Sequence, residues 1–168
     1  MDTRVRGRVW VFDDDVDTDV MAPWNTISLP WEERRQSVLH IRPEFAANVQ
    51  PGDVIVAGGN WGCGSSREHA PENLKLLGVS GVVAESFGRI YFRNCIAIAF
   101  PNLVCPGIRT TCEDGDEVEF DLASGEVRNV SRDVTLRGRP YTQEMLEIIG
   151  RGGLMGVLRH RFELEDRA

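Results

Sequence analysis

Lysine is almost missing from this chain of 168 residues: Lys75 stands alone, and arginine supplies nearly all of the positive charge. With 19 basic against 26 acidic residues the formal charge is −7. That balance argues against broad capture of nucleic-acid backbones, which leans on clustered Lys and Arg. No nucleic-acid partner is expected. Long apolar runs are missing too. Nothing approaches the roughly 20 apolar residues of a membrane span, and the opening MDTRVRGRVWVF lacks the apolar core of a signal peptide. The expectation is a cytoplasmic chain with no membrane partner. Cysteine is sparse and unpatterned. Cys63, Cys95, Cys105 and Cys112 lie 32, 10 and 7 apart with no C-x-x-C pair, whereas iron–sulfur ligands usually come closely spaced. Free thiols are expected, and no metal bound by this chain alone.

What is present fits one ordinary domain over residues 1–168, with 42% hydrophobic and 27% charged residues and 17 glycines for turns. RVRGRVWVF (Arg4–Phe12) alternates polar and apolar residues as a half-buried strand does. The acidic run Asp13–Asp19 and the aperiodic stretch after it predict a long structured loop to about residue 30, and such loops are usually functional. Trp31–Ile41 reads as a short helix limited by Pro43. A clearer rhythm then sets in, with strand Asp53–Gly58, helix Ser66–Gly78 and strand Gly81–Ser86. Helix Phe87–Phe100 and strand Asn102–Cys105 follow. Apolar strands alternating with helices predict an α/β fold with a parallel sheet covered on both faces. The last third predicts a β-meander (Glu117–Asp121, Glu126–Val130, Asp133–Arg137) and two short helices split by Gly150, Gly152 and Gly153.

The segment GGNWGCGSSREHAP (Gly58–Pro71) lies between a strand and a helix. Its glycines let the backbone turn with positive φ and approach a ligand. Ser65 or Ser66 is placed to cap the helix, and the free N–H groups at such an end attract an anion such as a carboxylate. The run is no Walker A loop. It also fails the dinucleotide fingerprint, because Arg67 replaces the third glycine, and it fails G-x-S-x-G, because Ser65 is followed by Ser66 and Arg67. A plain helix cap remains open, but a cation at a helix N-terminus is unfavourable without an anion beside it, and Arg67 is expected to sit there. His69, four residues after Ser65, reads as an acid or base or as a structural first-turn residue. His40 and His160 show no partner pattern.

GCGSSREHAP followed by GVVAESFGRIYFRN resembles the swivelling C-terminal domain of the aconitase superfamily, and more closely the separately encoded small subunits of the isopropylmalate dehydratase and homoaconitase families. The likeness extends to GRVWVFDDDVDTD and RPEFAANVQPGD, from Gly7 to Ile108; the tail is generic. The resemblance implies a swivelling β/β/α-type domain and dehydratase chemistry on a hydroxy di- or tricarboxylic acid. It implies activity only in a heterodimer or heterotetramer with a large subunit, which carries the [4Fe–4S] cluster. Ser65 then matches the serine whose alkoxide takes the proton next to a carboxylate. Ser66 and Arg67, with Gly64 in the same loop, match groups that bind and orient substrate, and Asp19 matches an aspartate of the active-site shell.

Within that family, substrate choice depends on the segment after the aspartate motif, here MAPWNTISLPWEERRQ (Met21–Gln36), which lacks the short tyrosine–leucine signature. Trp24, Ile27 and Leu29 suit an apolar pocket for a branched side chain, whereas Arg34 or Arg35 suits an extra carboxylate. 3-Isopropylmalate, of leucine biosynthesis, is the first candidate; homoaconitate and dialkylmalates such as 2,3-dimethylmalate are the alternatives. A non-catalytic di-acid-binding module and a serine hydrolase using Ser65 and His69 are readings from other classes.

Overall fold

A computed structural model describes residues 2–165; the ends of the expected domain, Met1 and residues 166–168, lie outside the described residues. Its centre is β1 (Arg4–Phe12), whose two halves serve different neighbours. Val9–Phe12 pair in parallel with β2 (Val54–Ala57), while Arg4–Arg8 pair antiparallel with β5 (Glu117–Asp121). Strands β3 (Gly81–Ala84) and β4 (Asn102–Val104) extend the parallel side, and β6 (Glu126–Asn129) and β7 (Val134–Arg137) the antiparallel side. The result is one seven-stranded sheet in the order β4-β3-β2-β1-β5-β6-β7. The parallel sheet and the meander expected from the sequence are therefore joined through β1. Its composition explains the division: the apolar VWVF suits a parallel strand buried on both faces, and the alternating RVRGR suits an antiparallel strand with one wet face.

Successive strand residues feed opposite faces. Trp10, Phe12, Ile55, Ala57, Val82 and Ala84 join Phe45, Trp61 and Leu74 in one core cluster. Val9, Val54, Val56, Val83 and Leu103 join Val118 and Phe120 in the other. At the lower edge of β1 the buried carboxylate of Asp53 accepts hydrogen bonds from Arg8 Nη2 (2.7 Å), Trp10 Nε1 (2.7 Å) and the Gln50 N–H (2.9 Å). Burial raises its pKa, but Arg8, the Gln50 N–H and Trp10 together outweigh that and hold the carboxyl below its ordinary value.

Several local expectations change. The stretch read as loop to residue 30 contains α1 (Thr18–Met21) and a 3₁₀ turn, Trp24–Thr26. The helix expected over Trp31–Ile41 is only α2 (Trp31–Arg34) plus a 3₁₀ turn to Ser37, because Val38 and Leu39 leave helical geometry to bury their side chains. Pro43, read as a stop, instead starts α3 (Pro43–Asn48), as proline in a first helical turn permits. The helix predicted from Ser66 begins three residues later, as α4 (His69–Leu76). It is followed by α5 (Arg89–Ala97), α6 (Gln143–Gly150) and α7 (Leu154–Glu165).

Candidate active site

The loops leaving the carboxyl ends of β1 and β2, neighbours in the sheet, meet over residues 14–18 and 59–65. In α/β sheets ligands bind outside the carboxyl ends of the strands, the end at which these loops lie. The backbones zip together: Asp15 N–H donates to Gly59 O (2.9 Å), Gly62 N–H to Val16 O (2.8 Å) and Thr18 N–H to Cys63 O (2.9 Å). Asp14 and Asp15, of the acidic run, tie the same loops by accepting from Gly59 N–H (2.6 Å) and Asn60 Nδ2 (2.8 Å). Gly62 makes the close approach possible. It has φ +73°, and a Cβ there would stand 2.2 Å from the Tyr91 ring.

Asp17 starts α1 by accepting from the N–H groups of Asp19 (2.8 Å) and Val20 (3.0 Å). This cap orients the next two side chains. Buried Thr18 places its hydroxyl 3.1 Å from Ser65 O and 3.3 Å from Ser65 Oγ. Asp19 forms an ion pair with Arg67. Arg67 also donates from Nη1 to Ala22 O (2.9 Å), and its guanidinium lies 5.8 Å from the centre of the Trp24 ring. α1 is itself pinned to α4 by Asn73 Nδ2 donating to Met21 O (3.1 Å).

Gly64, Ser65, Arg67, Asp19 and Trp24 thus converge around α1. Ser65 and Ser66 are exposed, and Trp24 is 77% exposed. Neither serine caps α4. Arg67 N–H donates to Ser65 O and Ala70 N–H to Arg67 O, which is a turn before the helix, and the N-cap is Glu68 without a side-chain bond. Arg67 therefore precedes the helix start, and Asp19 supplies the anion that its charge was expected to need. Arg34 and Arg35 stay on their own segment. Arg34 donates to Ile27 O (3.3 Å) and lies 5.3 Å from the Trp31 ring, while Arg35 pairs with Glu32 (3.7 Å).

The sequence matches the aconitase C-terminal domain over residues 32–103. It is 43% identical over 159 residues to the isopropylmalate/citramalate isomerase small subunit of Methanocaldococcus jannaschii, covering 94% of this chain and 95% of that one. It is 46% identical over 159 residues to the methanogen homoaconitase small subunit of Methanothermobacter thermautotrophicus, covering 92% and 91%. The chain belongs to the small-subunit family of aconitase-type hydro-lyases. Its fold agrees with a crystal structure of 3-isopropylmalate dehydratase from M. jannaschii, with TM-score 0.89, 34% identity and 98% of both chains covered.

The relatives' designation as small subunits implies a large-subunit partner. The thiols of this small subunit do not gather as the set of ligands that holds an iron–sulfur cluster. Burial pushes the Cys105 thiol up to about 11, raises Cys95 and Cys112, and raises Cys63 with help from Asp17 and Asp15. Among the described residues no three His, Cys, Asp or Glu side chains gather as a metal site, and no helix is long and apolar enough to cross a membrane. His69 is the first residue of α4, half-buried. Sequence reading missed Thr18, the side chain in contact with Ser65. The signal was available as Asp17-Thr18-Asp19, a helix-start pattern hidden in an acidic run.

Proposed function

We propose that this chain is the small subunit of a heteromeric iron–sulfur hydro-lyase whose substrate is a malate with a branched apolar substituent, 3-isopropylmalate before a dialkylmalate. The observation that carries this is the meeting of Ser65 with Thr18, and of Arg67 with Asp19 and Trp24, at the carboxyl ends of two adjacent parallel strands. Ser65 Oγ takes the proton from the carbon next to a carboxylate as hydroxide departs from the neighbouring carbon, and returns it in the reverse direction. A serine oxyanion forms only where donors and a fixed cation support it. The Thr18 hydroxyl becomes such a donor by turning its proton from Ser65 O (3.1 Å) to Ser65 Oγ (3.3 Å), and Arg67 is the cation. Arg67 exchanges Asp19 for the substrate carboxylate, which its planar fork holds in two hydrogen bonds. The cluster belongs, by the family resemblance, to the large subunit.

Trp24 favours an apolar substituent over a third carboxylate, since it stands exposed beside Arg67 while Arg34 and Arg35 are engaged locally. The test is reconstitution with the large subunit and a panel of substituted malates and homoaconitate. Turnover of the branched malates, with none by the isolated chain, is expected; preference for homoaconitate overturns the substrate, and full activity of the chain alone overturns the subunit role.

A further inference from the structure

A cavity of about 370 Å³ opens between the start of α5 and the segment 139–142, beside Phe87 after β3 and Val104 at the end of β4. It shares no lining residue with the Ser65–Arg67 loop. One side is a fixed aromatic wall. Phe92 meets Phe87 edge to face at 5.6 Å and Tyr141 at 6.2 Å, and the Tyr141 hydroxyl is tied down by donating to Asn102 O (2.7 Å). The other lining groups are cationic. Arg89, Arg93 and Arg139 all contribute, and no acidic residue does.

This grouping is unusual for the chain. Elsewhere arginines mostly meet carboxylates, as Arg6, Arg8, Arg42, Arg109 and Arg132 do. None of the three side chains at the cavity has an ion-pair or hydrogen-bond partner among the described residues. Arg89 and Arg93 stand four apart on α5, a spacing that sets like charges side by side. The first turn of α5 adds to the positive potential, because its N-cap, Gly88, offers no side-chain acceptor. Arg139 is anchored through its backbone N–H on Val104 O (2.8 Å). In a chain of net charge −7 this is a local excess of cations around an apolar wall. Its volume falls in the range of small-molecule pockets, on the order of 300–1,000 Å³.

We propose that this cavity binds a small organic dianion, its carboxylate or phosphate oxygens held by the three guanidinium groups and its planar or branched apolar body against Phe87, Phe92 and Tyr141. This does not depend on the hydro-lyase reading. The experiment is a ¹H–¹⁵N NMR titration of the full chain with phthalate and with phenyl phosphate, using neutral phthalamide as control. Saturable shifts are expected at the amides of residues 89–93 and 139–142, with Ser65 and Ser66 unmoved and Kd below about 1 mM. Response to phthalate alone identifies a carboxylate site, and to phenyl phosphate alone a phosphate site. Arg93→Gln with Arg139→Gln should weaken binding by at least ~10-fold, with melting unchanged because both side chains are exposed. Three results overturn the proposal: no saturable shift with either anion, equal shifts with phthalamide, or undiminished affinity in the double variant.

Discussion

On the parallel side of β1, every residue of β2 and β3 is buried, and the loops after β1 and β2 carry Asp19, Ser65 and Arg67, the side chains proposed to act on substrate. On the antiparallel side, β5 alternates buried with half-buried residues and β6 buried with exposed ones, while β7 has no fully buried residue. Their outward faces are held by ion pairs such as Arg6–Glu117 and Arg128–Asp133. The contrast is one of environment. On the parallel side the Asp53 carboxylate is buried and engaged by several fixed partners. The Arg6–Glu117 and Arg128–Asp133 pairs on the antiparallel side compete with water. Charge removed from the first region should therefore be felt, and charge removed from the second should not.

The largest effect is expected at the loop after β2. Ser65→Ala in the reconstituted enzyme should lower kcat by roughly 10²–10⁴-fold, the range for a positioned proton-transfer group, with KM little changed. The fold should be unaffected, because Ser65 is exposed. Steady-state kinetics with circular dichroism tests both halves, and near-normal turnover removes Ser65 as the base.

Next comes Asp53→Asn, which acts on stability. It exchanges a charged acceptor of four side-chain and backbone bonds for a neutral one, and hydrogen bonds to charged groups contribute about 1.5–3 kcal/mol. Because the folded pKa of Asp53 is depressed, its stabilisation is present above the ordinary carboxylate pKa and is lost as pH falls through the lower folded value. Urea unfolding across that acid range should find the wild type losing stability more steeply than the variant. Parallel curves would remove Asp53 as the source.

The strands were legible because burial on both faces writes an apolar run, as in VIVA and GVVA, and burial on one face writes alternation, as in Glu117–Asp121. Glycines and the serine–arginine pair made the loop after β2 stand out. The loop after β1 was harder. α1 has only four residues, too few for a helical period to register, and its order comes from Asp17 and from contacts with Cys63 and Asn73 that lie far off in sequence. The start of α4 was misplaced for the same reason: Arg67 and Ser65 fold into a turn held by Asp19, Ala22 and Thr18 across the crevice. Local propensity does not see those partners. Nor does it see the single sheet, since only the pairing of β1 on both sides joins the two halves.

Arg67→Lys keeps the charge but removes the fork, so kcat/KM should fall by at least ~10-fold, equal to about 1.4 kcal/mol. Melting should barely move, because Asp19 is 64% exposed and an ion pair with so wet a partner is typically worth about 0–1 kcal/mol. A melting temperature that drops in step with activity would make Arg67 a structural residue.

The smallest effect is expected at Arg6→Gln, and it is the sharpest check on the difference between the two regions. Arg6 offers Nε and Nη2 to the two oxygens of Glu117, both at 2.9 Å, which is the geometry in which an arginine–carboxylate pair is strongest. On geometry alone it rivals the Arg8–Asp53 pair, where Nε and Nη2 lie 3.2 and 2.7 Å from the carboxylate. Environment separates them: the side chains of Arg6 and Glu117 are 52% and 45% exposed, against 6% for Asp53. Water and salt screen the first pair, and over about 8 Å at physiological ionic strength exposed charges largely lose sight of one another. Arg6→Gln should therefore leave the melting temperature within scatter in moderate salt and shift it slightly, if at all, in low salt. Asp53→Asn should lower it in both. Equal losses for the two variants at moderate salt would mean that bidentate geometry, not burial, decides what an ion pair contributes in this sheet.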